Sequence, residues 1–282
     1  MQKGLILEGG AMRGMFTAGV LDVFLEHGIS FDGVCGVSAG AVFGCNFKSG
    51  QVGRAIRYTT RFCRDARYGS FWSLLKTGNL YDVDFCYHEI PEKLDIFDAK
   101  AYRENPAAFY AVCTDVDTGK PIYKRCRTAQ GEDLLWMRAS ASLPFVSRVV
   151  EAGGRRLLDG GIADSVPLRF FEGIGYTKNV VILTRPRTYT KKKSASRLMR
   201  LALWREPYLL DAMESRGERY NETVRYICEK EKKGEVFVLR PSAPLKVRKM
   251  EKNPKKLWAV YREGRCVAER QLDALLRYLA NE

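Results

Sequence analysis

The stretch Gly36-Val37-Ser38-Ala39-Gly40 places a serine at the junction of two short apolar segments with different patterns. Residues 31–37 (FDGVCGV) are partly β-branched, which favours a buried strand, whereas residues 39–47 (AGAVFGCNF) are small and apolar, which favours a buried helix. Glycines on both sides of Ser38 let a strand and a helix pack closely around a strained turn, and a helix N-terminus favours negative charge near the serine oxygen. The pattern predicts a nucleophile elbow. Taken alone, it is equally compatible with a glycine-rich turn whose serine only caps the helix.

A second glycine-rich turn lies near the start of the chain. Residues 3–8 predict a first strand and residues 15–25 a helix, and the loop between them consists of Gly9, Gly10, Ala11, Met12, Arg13 and Gly14. Such a loop presents backbone N–H groups to an anion, either a phosphate or an oxyanion. A dinucleotide-binding fold with Asp32 as its acidic residue is the alternative, but its G-x-G-x-x-G spacing requires glycine at the position of Ala11.

The scarcity of histidine limits the kind of hydrolase that this chain can be. Its two histidines are His27, near the end of a predicted helix, and His88, which comes too early for the usual Ser-Asp-His order. A serine nucleophile then needs another base. Leu157-Leu158-Asp159-Gly160-Gly161 offers a carboxylate at the end of a short apolar strand, and Asp115 and Asp164 are the competing carboxylates.

In this combination the sequence resembles the patatin-like phospholipases, which share their catalytic core with the cytosolic phospholipases A. The resemblance covers about residues 3–185. It rests on motifs in a fixed order: the loop at 9–14, the elbow at 36–40, T-D-x-x-x-G at 114–119, a segment at 138–145 (RASASLPF) similar to the family's A-S-x-A-x-P, and D-G-G at 159–161. It implies a three-layer α/β/α sandwich with a mostly parallel central sheet. Beyond the resemblance, the sequence predicts a basic, mainly helical C-terminal extension.

The resemblance also implies roles for individual residues. Ser38 is the expected nucleophile and Asp159 the expected base of a Ser-Asp dyad, with Gly160 and Gly161 completing the D-G-G motif. The backbone N–H groups of Gly10 and Ala11, with neighbours up to Arg13, are expected to form the oxyanion hole. The family most often has glycine where this chain has Ala11. This substitution puts the conformation of the loop in question.

The chemistry of such a dyad is acyl transfer. A free aspartate has a pKa of about 3.9, so burial must raise the pKa of Asp159 before it can accept a proton from Ser38 at neutral pH. The expected cycle is attack by Ser38 on an ester carbonyl, proton transfer to Asp159, and hydrolysis of the acyl-serine by water. The predicted function is a lipid acyl hydrolase that acts on phospholipids, lysophospholipids or other fatty acyl esters. An acyltransferase with the same acyl-serine, and a non-catalytic lipid-binding or regulatory module, are the alternatives.

Charge separates the chain into two parts, a catalytic domain expected at residues 1–185 and a basic extension at 186–282. From Arg185 onward there are 25 Lys and Arg against 13 Asp and Glu, which accounts for most of the formal net charge of +14. The extension is predicted to begin with a basic linker at 185–193 and to continue with helices at 206–232 and 254–280 and a strand at 236–239. Leu201, Leu203, Met199 and Trp204, beside Arg197, Arg200 and Arg205, suggest contact with an anionic membrane, and a solvated basic face is the competing interpretation. No nucleic-acid-binding motif accompanies these charges, so nucleic acid is not an expected partner.

Composition restricts the remaining classes. The first strand begins by Lys3, and no apolar run approaches the about 18 residues of a membrane span, so we expect a cytoplasmic enzyme, with peripheral contact at the inner membrane surface as an open question. The eight cysteines contain no C-x-x-C pair, and neither a metal nor a cofactor is expected. The resemblance implies that residues 50–105 overhang the nucleophile and line an acyl-chain groove, while Phe71, Trp72, Leu74 and Leu75 are taken individually as core residues.

Overall fold

The computed structural model describes residues 1–192 and 197–280. Within these residues an eight-stranded sheet has the order β5-β6-β3-β2-β1-β7-β8, and β4 pairs with β3. The strands are β1 (Gln2–Leu7), β2 (Gly33–Val37), β3 (Ala108–Asp115), β4 (Pro121–Arg125), β5 (Val150–Ala152), β6 (Arg155–Asp159), β7 (Tyr176–Ile182) and β8 (Val236–Leu239). Five adjacent strands of the sheet, β3, β2, β1, β7 and β8, are parallel. Strands β4 and β6 pair with β3, and β5 pairs with β6, in antiparallel orientation.

Helices cover both faces of this sheet. They are α1 (Gly14–Glu26), α2 (Ala39–Lys48), α3 (Arg54–Phe62), α4 (Phe71–Thr77), α5 (Ala99–Glu104), α6 (Gly131–Ser140), α7 (Leu168–Gly173), α8 (Arg197–Ala202), α9 (Pro207–Lys232), α10 (Pro254–Arg270) and α11 (Leu272–Ala280). A π-helix (Phe85–Leu94) and two 3-10 turns (Ala11–Arg13 and Gly160–Ile162) complete the set.

Alternating side chains of the strands divide the core into two clusters. In β1, Leu5 and Leu7 pack with α1, α2 and α10, whereas Ile6 packs on the opposite face with α7 and α9. Both faces are therefore buried, as is usual for parallel strands connected by helices. The predicted three-layer α/β/α architecture with a mostly parallel sheet is confirmed.

The C-terminal region is built into this core. Strand β8 extends the sheet beside β7, and the predicted helix at 254–280 is two helices, with the break at Gln271. Helix α10 crosses α1 at Gly19 and Gly264, where a Cβ on either glycine would overlap the backbone of the other helix. Lys193, the last residue of the predicted basic linker, lies outside the described residues.

Two expectations about apolar side chains are wrong. Phe71, Trp72 and Leu75 are 71%, 68% and 83% exposed rather than core residues, because α4 packs inward through the small side chain of Ser73. In the C-terminal region, Met199 and Leu203 are buried in a cluster with Leu158 and Ile162, while Leu198, Leu201 and Trp204 are exposed. No helix in the described part of the chain is both long enough and apolar enough to cross a membrane.

Candidate active site

Ser38 lies between β2 and α2 on a strained turn. Its φ of 54° and ψ of −122° are unusual for a residue other than glycine, and its side chain is half-buried. A Cβ at Gly36 would lie 2.6 Å from the backbone nitrogen of Ala41, and one at Gly40 would overlap the carbonyl oxygen of Leu7. Among the described residues the Ser38 hydroxyl makes no hydrogen bond that caps α2, so the geometry is that of an elbow rather than of a helix cap.

The glycine-rich loop packs directly against this elbow. A Cβ at Gly9 would lie 2.9 Å from both the Cβ of Ser38 and the carbonyl oxygen of Val37. Ala11 has a φ of 49°, so it adopts the left-handed conformation that glycine more easily takes. The N–H groups of Gly10 and Ala11 have no hydrogen-bond acceptor within the described residues, whereas the N–H of Arg13 donates to the Gly10 carbonyl at 3.1 Å. The loop that contacts Ser38 through Gly9 therefore has two adjacent N–H groups without an acceptor among the described residues.

Asp159 ends β6 and is 1% exposed. Its Oδ1 accepts a hydrogen bond from the N–H of Gly161 at 2.8 Å, and its Oδ2 has no hydrogen-bond partner among the described residues. Burial raises the pKa of the Asp159 carboxyl, and this effect outweighs the lowering by Arg216, by the Ser38 hydroxyl and by the Gly161 N–H. A carboxyl with a raised pKa and an uncommitted oxygen is suited to exchange protons.

The last residue of α6 and the chain that follows it hold both members of the candidate dyad. The hydroxyl of Ser140 accepts a hydrogen bond from the Ser38 N–H at 2.9 Å, and the carbonyl of Ser142 accepts one from the Asp159 N–H at 2.8 Å. From β3, the Thr114 hydroxyl donates to the Asp159 carbonyl at 2.8 Å. Sequence reasoning identified the motifs that contain these residues, but not these contacts.

The alternative catalytic groups have other partners. Asp115 pairs with Arg155 at 2.7 Å, and Asp164 accepts a hydrogen bond from the Tyr123 hydroxyl at 2.8 Å. His27 is exposed at the C-terminal end of α1, and His88 is exposed beside Glu92. Asp32, the acidic residue of the dinucleotide alternative, accepts a hydrogen bond from the backbone N–H of Lys3 at 2.7 Å.

A group of basic side chains near the dyad is absent from the sequence prediction. A guanidinium nitrogen of Arg216, on α9, lies 3.2 Å from the position that a Cβ at Gly161 would take. Lys191 exchanges two backbone hydrogen bonds with the Asn221 side chain, at 2.8 and 2.9 Å, and its Nζ lies 4.7 Å from the ring centroid of Tyr220. Burial, reinforced by Arg216, lowers the pKa of Lys191 to about 7. Burial and Arg185 lower the pKa of Arg13.

A buried carboxylate fixes the start of the glycine-rich loop. Glu8 is 3% exposed and accepts hydrogen bonds from the N–H and the hydroxyl of Thr184 and, at 2.9 Å, from the hydroxyl of Tyr220 on α9. The loop is thus attached both to the end of β7 and to the C-terminal region.

Comparison with known proteins adds family and fold. A family model described as patatin-like phospholipase matches residues 5–171, and one described as a domain of unknown function (DUF6363) matches residues 206–280. The uncharacterized protein YjjU of Escherichia coli is 32% identical over 186 residues, covering 64% of this chain and 52% of that protein. The lysophospholipase nte1 of Aspergillus fumigatus is 27% identical over 179 residues, covering 61% of this chain and 11% of that protein. The chain thus spans about half the length of YjjU and a smaller part of the fungal protein.

A solved structure supports the fold. VipD from Legionella pneumophila superposes with a TM-score of 0.51 at 14% identity, covering 97% of this chain and 67% of that one. The similarity extends through the C-terminal region, which the patatin-like match does not include.

Proposed function

The chain belongs to the patatin-like phospholipase family, and from this premise we propose that it is a serine lipid acyl hydrolase with Ser38 as nucleophile and Asp159 as base. The observation that carries the proposal is the buried Asp159 carboxyl, whose pKa is raised by burial and partly lowered by the Ser38 hydroxyl, and whose Oδ2 has no hydrogen-bond partner among the described residues. Its substrates are phospholipids, lysophospholipids or other fatty acyl esters.

The proposed reaction has two halves. Asp159 accepts the Ser38 proton as the oxygen attacks the ester carbonyl, and the N–H groups of Gly10 and Ala11 stabilise the oxyanion. The alcohol leaves with that proton, and Asp159 then activates water to hydrolyse the acyl-serine. Exposed apolar side chains on α4 and on the loop that contains Phe145 supply contact with the lipid; Phe145 is 54% exposed. The Leu80 N–H donates a hydrogen bond to the Val146 carbonyl and so joins this loop to the region of α4.

Product analysis tests this function. Purified protein is incubated with mixed lipids, and the products are identified by mass spectrometry. Ser38→Ala and Asp159→Asn are expected to abolish turnover, whereas Asp164→Asn, at a partly buried carboxyl whose pKa is also raised by desolvation, leaves it in place. Free fatty acid indicates hydrolysis and a newly acylated alcohol indicates transfer. Appreciable turnover by Ser38→Ala or Asp159→Asn would exclude the dyad.

We also propose that residues 1–185 carry the catalytic groups and that the basic region at 186–282 meets an anionic membrane surface. Leu198, Leu201 and Trp204 are 78%, 72% and 66% exposed, and the Arg205 guanidinium lies 4.6 Å from the ring centroid of Trp204. Binding to anionic vesicles should exceed binding to neutral ones at low salt and should weaken as salt rises. Equal binding to both, or no effect of salt, would leave the solvated basic face as the explanation.

A further inference from the structure

The candidate dyad lies in a group of cations that have no acidic partners of their own. Arg13, Arg185, Lys191 and Arg216 form no ion pair within 4.0 Å in the described part of the chain. Glu8 acts electrostatically on Arg13 and Lys191, and Asp159 interacts with Lys191 and Arg216. Glu8 is already committed to Thr184 and Tyr220, and Asp159 is needed as the base. Arg13, Lys191 and Arg216 therefore share two carboxylates, each of which has another role.

Local contacts hold two of these cations at the reacting end of the site. Arg216 lies against Gly161, in the turn whose N–H bonds to Asp159. Asn221 fixes the backbone of Lys191 from the next turn of α9, and the Tyr220 ring supports its ammonium. The Nε atoms of Arg13 and Arg216 are buried and have no hydrogen-bond partner among the described residues. Holding partly buried cations together without acceptors is unfavourable unless an anion supplies the missing charge and acceptors.

We propose that Lys191 and Arg216 bind a phosphate group of the substrate and make the enzyme selective for fatty acyl esters that carry a negative charge near the ester. Phosphate suits this pair because a guanidinium donates two hydrogen bonds to its oxygens and an ammonium neutralises further charge. The assignment rests on the proposed hydrolase activity and names its substrate class. It also gives the region that matches a domain of unknown function a role, because Arg216 and Asn221 both belong to it.

Selectivity is measured with two short-chain esters that share one acyl chain, a lysophosphatidate and the corresponding monoacylglycerol. The ratio of their kcat/KM values is compared between the wild type, Arg216→Gln and Lys191→Gln. Each substitution is expected to lower the ratio by about tenfold or more, since a hydrogen bond to a charged group contributes about 1.5–3 kcal/mol. Arg225→Gln is the matched control, because Arg225 is exposed on the same helix, and its ratio should equal that of the wild type.

Binding of the two lipids to the Ser38→Ala variant tests the proposed anion site in the absence of turnover. Calorimetric titration should show tighter binding of the lysophosphatidate than of the monoacylglycerol, and Arg216→Gln should remove the difference. An unchanged ratio, or an equal loss with both esters, overturns the proposal, and so does inorganic phosphate that binds as tightly as the lipid. If the wild type hydrolyses no ester while the Ser38→Ala titration still separates the two lipids, the hydrolase assignment fails and the anion site stands.

Discussion

The hydrogen bond from the Ser38 N–H to the Ser140 hydroxyl allows the elbow to be perturbed without touching the reacting atoms. Ser140 is 0% exposed, and the bond is 2.9 Å long. In Ser140→Ala the Ser38 N–H loses its acceptor at a residue that is already strained, with φ at 54°. Leaving a buried donor unsatisfied costs about 1–3 kcal/mol. We expect the free energy of unfolding to fall by up to that amount.

The effect on rate follows from where this cost falls. If the elbow relaxes and the Ser38 oxygen moves, the activation free energy rises by the same amount, about 1–3 kcal/mol. Because about 1.36 kcal/mol corresponds to a factor of ten in rate, kcat falls by about 5- to 150-fold. KM should change little, because Ser140 is fully buried and is not available for contact with a substrate. A pure loss of stability would instead lower the melting temperature and leave kcat per folded molecule intact.

The same segment contains a matched control. Ser142→Ala removes a hydroxyl that donates to the Arg138 carbonyl at 2.9 Å, while the Ser142 carbonyl that accepts from the Asp159 N–H is retained. Kinetics on a neutral chromogenic ester and denaturant unfolding are measured for both variants. A kcat for Ser140→Ala within twofold of that for Ser142→Ala would refute the view that this hydrogen bond positions the nucleophile.

Four further predictions follow from the site. The pKa of Asp159 is raised, and only the ionised carboxylate accepts the Ser38 proton in the proposed reaction. As the pH is lowered, kcat/KM for a neutral ester should therefore fall at a pH above the usual range of aspartate pKa values. A fall that occurs only near pH 4 or below contradicts this prediction. Because the pKa of Lys191 is about 7 among Arg13, Arg216, Glu8 and Asp159, the preference for a phosphate ester should weaken as pH rises through that value; constant selectivity between pH 6 and 9 excludes the role of Lys191. Gly40→Ala should destabilise the fold by about 1–3 kcal/mol through overlap with Leu7, whereas Gly173→Ala, with no atom near its Cβ, should be tolerated in urea unfolding. Ala11→Gly should retain full ester hydrolysis and change the free energy of unfolding by less than about 1 kcal/mol. Glycine relieves the strain of the left-handed conformation at this position, and this gain offsets the greater conformational freedom of the unfolded chain. Loss of activity would mean that the alanine methyl group is needed.

The elements around Ser38 were predictable because their signals are local. About 16 consecutive residues contain strand β2, the glycines at 36 and 40 and helix α2. Together they form the strand–turn–helix pattern of a nucleophile elbow. Asp159 could be proposed as the base from the two glycines that follow it, once the shortage of histidine had argued against the usual base. The break at Gln271 was not predictable, because neither glycine nor proline marks it.

The supporting residues required tertiary structure. Ser140 meets Ser38 across 102 positions of sequence, and no periodicity of α6 indicates that its hydroxyl faces the elbow. Arg216 approaches Gly161 only because α9 packs beside the D-G-G turn, and in sequence it is one of many basic residues in its region. The exposure of Phe71 and Trp72 was missed because aromatic composition favours burial, whereas the side chain that α4 turns inward is Ser73.

Backbone strain connects the C-terminal region to the chemistry. In the described part of the chain three residues other than glycine have positive φ, and they are Ala11, Ser38 and Phe145, from the loop, the elbow and the segment that holds the dyad. Such conformations persist only where the surroundings enforce them. For the loop that enforcement includes the bond from Tyr220 to Glu8, the residue directly before Gly9. A chain truncated after residue 185 would lose Tyr220 together with β8 and α10, so we expect it to lose the loop conformation that the proposed oxyanion donors require, even though it retains Ser38 and Asp159.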